Sequence, residues 1–199
     1  MFYTVVAAIA RVVLKLVFRI KVYGKNSKIK DFDESYIVCG NHASMLDPVL
    51  VAITHNNHIR YMAKKELYNN VFLKFILDRL RAFPVDRQGN SLSAIKNSLK
   101  ILRNNEILGI FPEGTRVTDK KESSAKGGIS AIATKAKKKI LPVYIESNYK
   151  FFNKIDIYYG DFIDLEEYYD QKLGSEDYQK ISEDIMERIY GLKEEFNEK

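Results

Sequence analysis

"YIVCGNHASMLDPVL", residues 36–50, places a histidine and an aspartate five positions apart, directly after a short apolar run. On a regular helix five residues turn through about 500°, which would point the side chains of His42 and Asp47 away from each other. The two side chains can meet only if the chain bends between the end of a strand and the start of a helix. The stretch therefore predicts a strand, a tight turn and a helix in succession.

Short apolar stretches rich in β-branched and aromatic residues recur along the chain, as buried strands do. They are "YIVCG", "HIRYMAK", "RAFPV", "EILGIF", "KILPVYI" and "KIDIYYG". Between and after them, residues 66–80, 90–104, 127–138 and a segment from Ser175 carry apolar residues at helical spacing. Alternating strands and helices predict an α/β fold, with a largely parallel mixed sheet flanked by helices.

The composition fits one globular domain. The chain has 199 residues, of which 46% are hydrophobic, so it can bury a sizeable core. Its single cysteine, Cys39, excludes an intramolecular disulfide framework and fits a reducing compartment. Because Cys39 lies in an apolar run, we expect a buried structural thiol and not a nucleophile.

The charge is unevenly distributed. Residues 1–160 hold 27 basic and 13 acidic residues (27 − 13 = +14), whereas residues 161–199 hold 5 and 13 (5 − 13 = −8). A basic body indicates an anionic partner such as nucleic acid, a membrane surface or a phosphorylated substrate, although charge excess also serves solubility alone. The basic run at 135–139 does not decide between these partners, because it has no interleaved aromatic residues on which bases could stack. Our prediction is a membrane surface and no nucleic acid.

The first twenty residues, "MFYTVVAAIARVVLKLVFRI", predict an amphipathic helix. Arg11, Lys15 and Arg19 recur every four residues and would lie within a stripe of about 80° on an otherwise apolar helix. A transmembrane span would place Arg11 near the middle of the bilayer, and a secretory signal would carry its cations before the apolar region. We therefore expect a membrane-associated helix and connector over residues 1–30, before an α/β domain over 31–199. The alternative is a helix packed on the protein's own core.

Polar groups follow several of the predicted strands, where ligands collect in such sheets. His42 is suited to accept a proton, and a carboxylate such as Asp47 would fix its tautomer. No local signature of a serine, cysteine or threonine nucleophile is present. The simplest interpretation is a histidine base that activates a hydroxyl of the substrate.

Cations and a proline complete the candidate site. Arg87 and Arg116 are forked donors suited to phosphate or carboxylate oxygens, and Lys126, ahead of two glycines and a helix, adds a third cation. Pro142 interrupts a strand, which predicts an edge or a bulge. No metal site is predicted, because "THNNH" at residues 54–58 lacks a third ligand and is more typical of a surface turn.

Four segments in this order, "NHASMLD", "FPVDR", "FPEGTR" and "LPVYI", resemble the four motifs of the glycerolipid acyltransferase family. The resemblance covers about residues 36–146. It implies that His42 is the general base and Asp47 its orienting partner. It also implies two substrate-binding groups. The acceptor's glycerol phosphate would be bound by Arg87, Glu113, Gly114, Thr115, Arg116 and Lys126, and the acyl-donor side would include Pro142.

The resemblance further implies a 1-acylglycerol-3-phosphate O-acyltransferase of phospholipid biosynthesis. Its donor substrate would be acyl-CoA or acyl-ACP, with no further cofactor and no metal. Its partners would be an anionic membrane surface, a lysophospholipid acceptor and acyl carrier protein, at the cytoplasmic face of the cell membrane in a peripheral or monotopic form. Three alternatives stay open: acylation of another lysolipid or of glycerol 3-phosphate, a non-catalytic protein that binds anionic lipid, and a basic protein that binds nucleic acid through residues 135–139.

Overall fold

A seven-stranded sheet with helices on both faces forms the centre of the protein. The computed structural model describes residues 2–29, 34–86, 91–114 and 127–198. Within these ranges the elements in chain order are α1 (Phe2–Val17), β1 (Arg19–Tyr23), β2 (Ile37–Gly40), α2 (Asp47–Thr54), β3 (Ile59–Lys64), α3 (Val71–Arg79), β4 (Phe83–Val85), α4 (Ser91–Arg103), β5 (Ile107–Ile110), α5 (Gly128–Ala136), β6 (Ile140–Glu146), β7 (Lys154–Tyr159) and α6 (Ser175–Asn197).

The strands are arranged in the order β1-β7-β6-β2-β5-β3-β4. Neighbouring strands run parallel except for β6 and β7, which are antiparallel. Each of the six apolar stretches identified in the sequence overlaps one of these strands. The predicted α/β fold with a largely parallel sheet is therefore confirmed. The carboxyl ends of β2, β5 and β6 lie at one edge of the sheet, because these three strands are parallel.

Strand β1 was not expected from the sequence. It pairs with β7 along its whole length, from Arg19 opposite Lys154 to Tyr23 opposite Tyr158. Its Ile20 and Val22 alternate with basic residues, but they follow the helical apolar residues without a break, which hides the change of period. Because β1 belongs to the central sheet, the expected division of the chain at residue 30 does not separate two structural units.

Two apolar cores lie on the two faces of the sheet. On one face α4, α5 and α6 pack through residues such as Ile101, Ile132 and Ile185. On the other face α1 and α2 pack through Leu14 and Leu50. Burying one such aliphatic side chain contributes roughly 1.5–3 kcal/mol, so both layers hold the sheet in place. The apolar stripe predicted for α6 is largely in this core.

The structure shows that the predicted basic stripe is interrupted. The Nε and Nη2 atoms of Arg11 donate to the carbonyl oxygen of Ile53, at 2.9 and 2.7 Å, and so cap the end of α2. Arg19 lies in β1, because the helix ends at Val17. Of the three predicted cations, α1 therefore carries Arg11 and Lys15, and both are exposed. The exposed surface of α1 also includes a broad apolar face, which comprises Val5, Ile9, Val12, Val13 and Leu16, each at least half exposed.

The inward face of α1 is in keeping with the alternative of a helix packed on the protein's own core, since Leu14, and Phe18 just after the helix, are buried in the apolar core. No helix in the described ranges is long and apolar enough to cross a membrane.

Candidate active site

The turn after β2 is held by Asn41. Its Nδ2 donates to the carbonyl oxygen of Ile145 at 3.0 Å, and its Oδ1 accepts from the backbone N–H of the same residue at 2.8 Å. The side chain of Asn41 thus continues the pairing of β2 with β6 while its own backbone leaves the sheet. This places the next residue, His42, above the carboxyl edge. The sequence reading assigned no role to Asn41.

His42 and Asp47 meet across the turn. The Nδ1 atom of His42 lies 3.0 Å from Oδ2 of Asp47, which also accepts from the backbone N–H groups of Ala43 and Ser44 at 2.8 and 2.7 Å. Asp47 is fully buried and is the first residue of α2, where the helix dipole favours a negative charge. Because an ionised carboxylate only accepts hydrogen bonds, Nδ1 of His42 carries the proton. Its Nε2 is then the atom that can take up a proton from a substrate.

An aromatic side chain fixes the plane of the imidazole. The ring of Phe111 stacks on His42 with centroids 4.6 Å apart, and Tyr61 stacks on Phe111 at 6.0 Å. Tyr61 in turn lies over Gly109, where an added Cβ would be only 2.3 Å from the tyrosine ring. A glycine at this position lets β5 present Phe111 close to His42.

Glu113 supports His42 through the backbone. One carboxylate oxygen, Oε2, accepts from the N–H of His42 at 2.8 Å, and the other accepts from the hydroxyl of Tyr190 on α6. Glu113 is only 3% exposed. The resemblance implied that Glu113 binds the acceptor. The observed hydrogen bonds instead favour a role in which Glu113 positions the turn that carries His42.

Gly114 closes the turn that carries Glu113. Its N–H donates to the carbonyl oxygen of Phe111 at 3.1 Å, and its φ of 65° lies in the left-handed region that favours glycine. The predicted binding residues Arg87, Thr115, Arg116 and Lys126 lie outside the described residues.

Pro142 lies in an interior strand, so the predicted edge position is wrong. Its carbonyl oxygen accepts from the N–H of Gly160 at 3.0 Å, and the next bridge along joins Ile140 to Ile163. Between these two contacts β6 advances by two residues and the segment after β7 by three. The extra residue is a β-bulge, which was the other arrangement that the proline predicted. The carbonyl oxygen of Gly160, left without an N–H from the proline, accepts from Nδ2 of Asn26 at 2.8 Å.

A tyrosine that the sequence did not indicate completes the surroundings of Asp47. The hydroxyl of Tyr149, in the loop between β6 and β7, donates to Oδ1 of Asp47. Burial first, and then the negative charge of Asp47, raise the pKa of Tyr149, so the phenol stays protonated. No sequence signal could have found Tyr149, because it lies 102 positions from Asp47 and outside the recognisable motifs.

The remaining titratable groups near the turn have structural environments. Cys39 is fully buried in β2, and burial together with the nearby Glu113 raises the pKa of its thiol, which favours the expected structural role. His55, expected in a surface turn, is instead buried and contacts the hydroxyl of Tyr36 at 3.1 Å. Burial lowers the pKa of His55 to about 4. In the part of the chain that the structure describes, no group of three or more His, Cys, Asp or Glu side chains could hold a metal ion.

Comparisons with known proteins place the chain among acyltransferases. A family model described as Acyltransferase matches residues 19–146. A relative from Bacillus subtilis (strain 168), named 1-acyl-sn-glycerol-3-phosphate acyltransferase, is 35% identical over 133 residues, which are 66% of this chain and 65% of the relative. A relative of the same name from Streptococcus pneumoniae (strain ATCC BAA-255 / R6) is 30% identical over 202 residues, covering 98% of this chain and 74% of the relative.

The fold also resembles a solved structure. The crystal structure of the 1-acyl-sn-glycerophosphate (LPA) acyltransferase PlsC from Thermotoga maritima superposes with a TM-score of 0.72 at 23% identity. The match covers 96% of this chain and 79% of that one. At this identity the likeness concerns the fold.

Proposed function

This chain belongs to the acyltransferase family, and we propose that it transfers a fatty acyl group from an acyl thioester to the free hydroxyl of 1-acyl-sn-glycerol 3-phosphate, giving phosphatidate. The observation that carries the proposal is the contact between His42 Nδ1 and the buried Asp47 at the carboxyl edge of the sheet. The names of the relatives support the choice of acceptor.

The geometry supplies the elements of general base catalysis. Asp47 holds the Nδ1 proton of His42, so Nε2 removes the proton from the acceptor hydroxyl. The acceptor oxygen attacks the thioester carbonyl, and the tetrahedral intermediate expels the thiolate, which takes the proton back from Nε2. The products are the new ester and the free thiol. General base catalysis typically supplies about 10²–10⁴-fold in rate.

We assign the acceptor phosphate to cations that follow the second and third motifs. Arg87 and Arg116 offer forked donors, and Lys126 adds a point charge ahead of α5. Gly114 and Thr115 would supply backbone and hydroxyl groups beside them. Pro142 would belong to the acyl-donor side, where the donor is acyl-CoA or acyl-ACP. No further cofactor enters this mechanism.

We also propose that the protein acts at the cytoplasmic face of the cell membrane in a peripheral or monotopic form. The outward apolar face of α1 supports this, and Phe151 and Phe152 extend it, being 76% and 69% exposed. The N–H of Phe152 donates to the carbonyl oxygen of Val17 at 2.7 Å, so the two aromatic residues adjoin the end of α1. Apolar residues at an interface bury their surface among lipid headgroups and acyl chains. The basic body would favour anionic lipid.

Acceptor-dependent release of free thiol tests the reaction. Acyl-CoA and acyl-ACP are offered separately, with lysophosphatidate, glycerol 3-phosphate and other lysolipids as acceptors. The proposal predicts thiol release with lysophosphatidate and formation of phosphatidate in equal amount. Release with another acceptor alone would shift the substrate, and no release with any acceptor would favour a lipid-binding protein without catalysis.

Vesicle sedimentation tests the membrane assignment. The double variant Val12→Ser, Leu16→Ser should bind anionic vesicles more weakly than the wild type. The matched control is the double variant Val71→Ser, Phe72→Ser, which removes two exposed apolar side chains from α3 and should bind as the wild type does. Equal binding of the α1 double variant and the wild type would refute the assignment of this face.

A further inference from the structure

The two oxygens of the Asp47 carboxylate have different surroundings. Oδ2 accepts from His42 and from the two backbone N–H groups that follow it. Within the described residues, the hydrogen bond to Oδ1 comes from the hydroxyl of Tyr149. Among the described residues, the hydroxyl of Tyr149 thus supplies the hydrogen bond that Oδ1 of the fully buried Asp47 requires.

The segment that carries this phenol, residues 147–153, is the Tyr149 loop. The N–H of Tyr149 donates to Oγ of Ser147 at 2.9 Å, and the side chain of Asn153 donates to that of Asn148 at 3.0 Å. The backbone of Tyr149 has a φ of 54°, an uncommon value for a residue with a large side chain. A local conformation of this kind persists only where surrounding contacts maintain it.

The far end of the Tyr149 loop is attached to the start of the sheet. The N–H of Arg19 donates to the carbonyl oxygen of Asn153 at 3.0 Å, next to the bond between Phe152 and Val17. The hydroxyl therefore reaches Asp47 from a loop that is fixed at several points, and its direction is set by the fold.

We propose that Tyr149 is a positioning residue for the reaction proposed above, on which this inference rests: its hydroxyl holds the Asp47 carboxylate so that Oδ2 faces Nδ1 of His42. The hydroxyl also withdraws negative charge from the carboxylate, because a hydrogen bond donated to an anion stabilises the charged form. Tyr149 therefore fixes the direction of the pair and moderates how strongly the pair binds a proton.

Loss of the Tyr149 hydroxyl should change the proton affinity of the His42–Asp47 pair in one direction. Without this donor the carboxylate is less stabilised, so the His42–Asp47 pair binds its additional proton more tightly and releases it at higher pH. Among the residues that the structure describes, the other titratable groups near the pair are Glu113, on the backbone of His42, and beyond it Tyr190 and the thiol of Cys39. The substitution Tyr149→Phe leaves all three unchanged.

The test compares Tyr149→Phe with Tyr23→Phe. The control also removes a tyrosine hydroxyl from an aspartate, since Tyr23 donates to Oδ1 of Asp156 at 3.3 Å, but at the β1–β7 edge of the sheet. His42 is followed by NMR in protein with labelled histidine. The chain has three histidines, so each signal is assigned by substitution.

We expect Tyr149→Phe to raise the titration midpoint of His42 by roughly 1 pH unit, the lower end of the range that a lost hydrogen bond to a charged group corresponds to. The acidic limb of the pH dependence of kcat/KM should rise by a similar amount. At the pH optimum kcat should fall roughly 10-fold, with KM for the acceptor little changed. Tyr23→Phe should show none of these effects.

A second variant tests the opposite sign. Site-specific 3-fluorotyrosine at position 149 is a stronger donor, so it should lower the titration midpoint of His42. The inference is overturned if Tyr149→Phe leaves both the His42 titration and the pH profile as in the wild type, or if the fluorinated protein shifts in the same direction as Tyr149→Phe. If the wild type showed no acceptor-dependent thiol release, the proposed function would fail, and with it any catalytic role for Tyr149.

Discussion

Replacing Asp47 by asparagine and by alanine should separate its structural role from its catalytic one. Alanine removes the acceptor of four hydrogen bonds, donated by His42, Ala43, Ser44 and Tyr149. A buried donor without a partner costs about 1–3 kcal/mol. Because Ala43 and Ser44 are half-buried and water can reach them, we expect Asp47→Ala to lose about 2–4 kcal/mol of unfolding free energy.

Asparagine should retain most of these bonds. Its amide oxygen can occupy the position of Oδ2 and accept from the same three N–H groups, and its NH₂ group would then face Tyr149, whose hydroxyl can turn to accept. We therefore expect Asp47→Asn to lose less than about 1 kcal/mol. The amide carries no charge to stabilise the imidazolium, so kcat should still fall on the order of 10–100-fold.

Thermal and urea unfolding, followed by circular dichroism, measure the stability difference. A loss of 2–4 kcal/mol corresponds to a fall in Tm of roughly 4–16 °C for a domain of this size. Asp177→Ala is the control, because it removes an exposed first-turn carboxylate from α6 that accepts from the N–H of Gly174. If Asp47→Asn were as unstable as Asp47→Ala, or Asp47→Ala as stable as the control, the described hydrogen bonds would not be what holds the turn.

Three further predictions concern other parts of the molecule. Burial lowers the pKa of His55 from 6.5 to about 4. Between these pH values the unfolded chain binds a proton at His55 that the folded protein does not. The free energy of unfolding should therefore decline by about 3 kcal/mol as the pH falls from above 6.5 to 4. His55→Gln should flatten that slope in urea titrations at successive pH values. Gly109→Ala should lower kcat and Tm together, because its Cβ would lie 2.3 Å from the Tyr61 ring. Tyr190→Phe removes the hydroxyl that donates to the buried carboxylate of Glu113, which positions the His42 turn. This variant should therefore lower kcat several-fold and leave vesicle binding unchanged.

The strand, turn and helix at residues 36–50 could be predicted because the signals are local. An apolar run ends at Gly40, and the spacing of His42 and Asp47 makes sense only if the chain bends. The other buried strands were predictable for the same reason, since their β-branched composition and bounding turns lie within a few residues.

The contacts that the sequence did not reveal depend on residues far apart in the chain. A helical period shows where the cations of α1 lie, but Arg11 turns toward the protein because a carbonyl oxygen 42 positions away, at Ile53, needs a donor. Pro142 could lie inside the sheet because the chain after β7 bulges and Asn26 supplies the missing donor. Tyr149 lies near Asp47 because β6, which precedes the Tyr149 loop, pairs with β2, which precedes the turn of His42 and Asp47.

Acceptor-dependent thiol release by the wild type and by His42→Ala tests the central claim most directly. Both proteins are assayed with lysophosphatidate and an acyl thioester, after circular dichroism has shown that the variant is folded. We predict that the wild type forms phosphatidate in step with free thiol. His42→Ala should lose at least about 100-fold in kcat, because it lacks the base that activates the acceptor hydroxyl. Turnover by folded His42→Ala close to that of the wild type would contradict the mechanism.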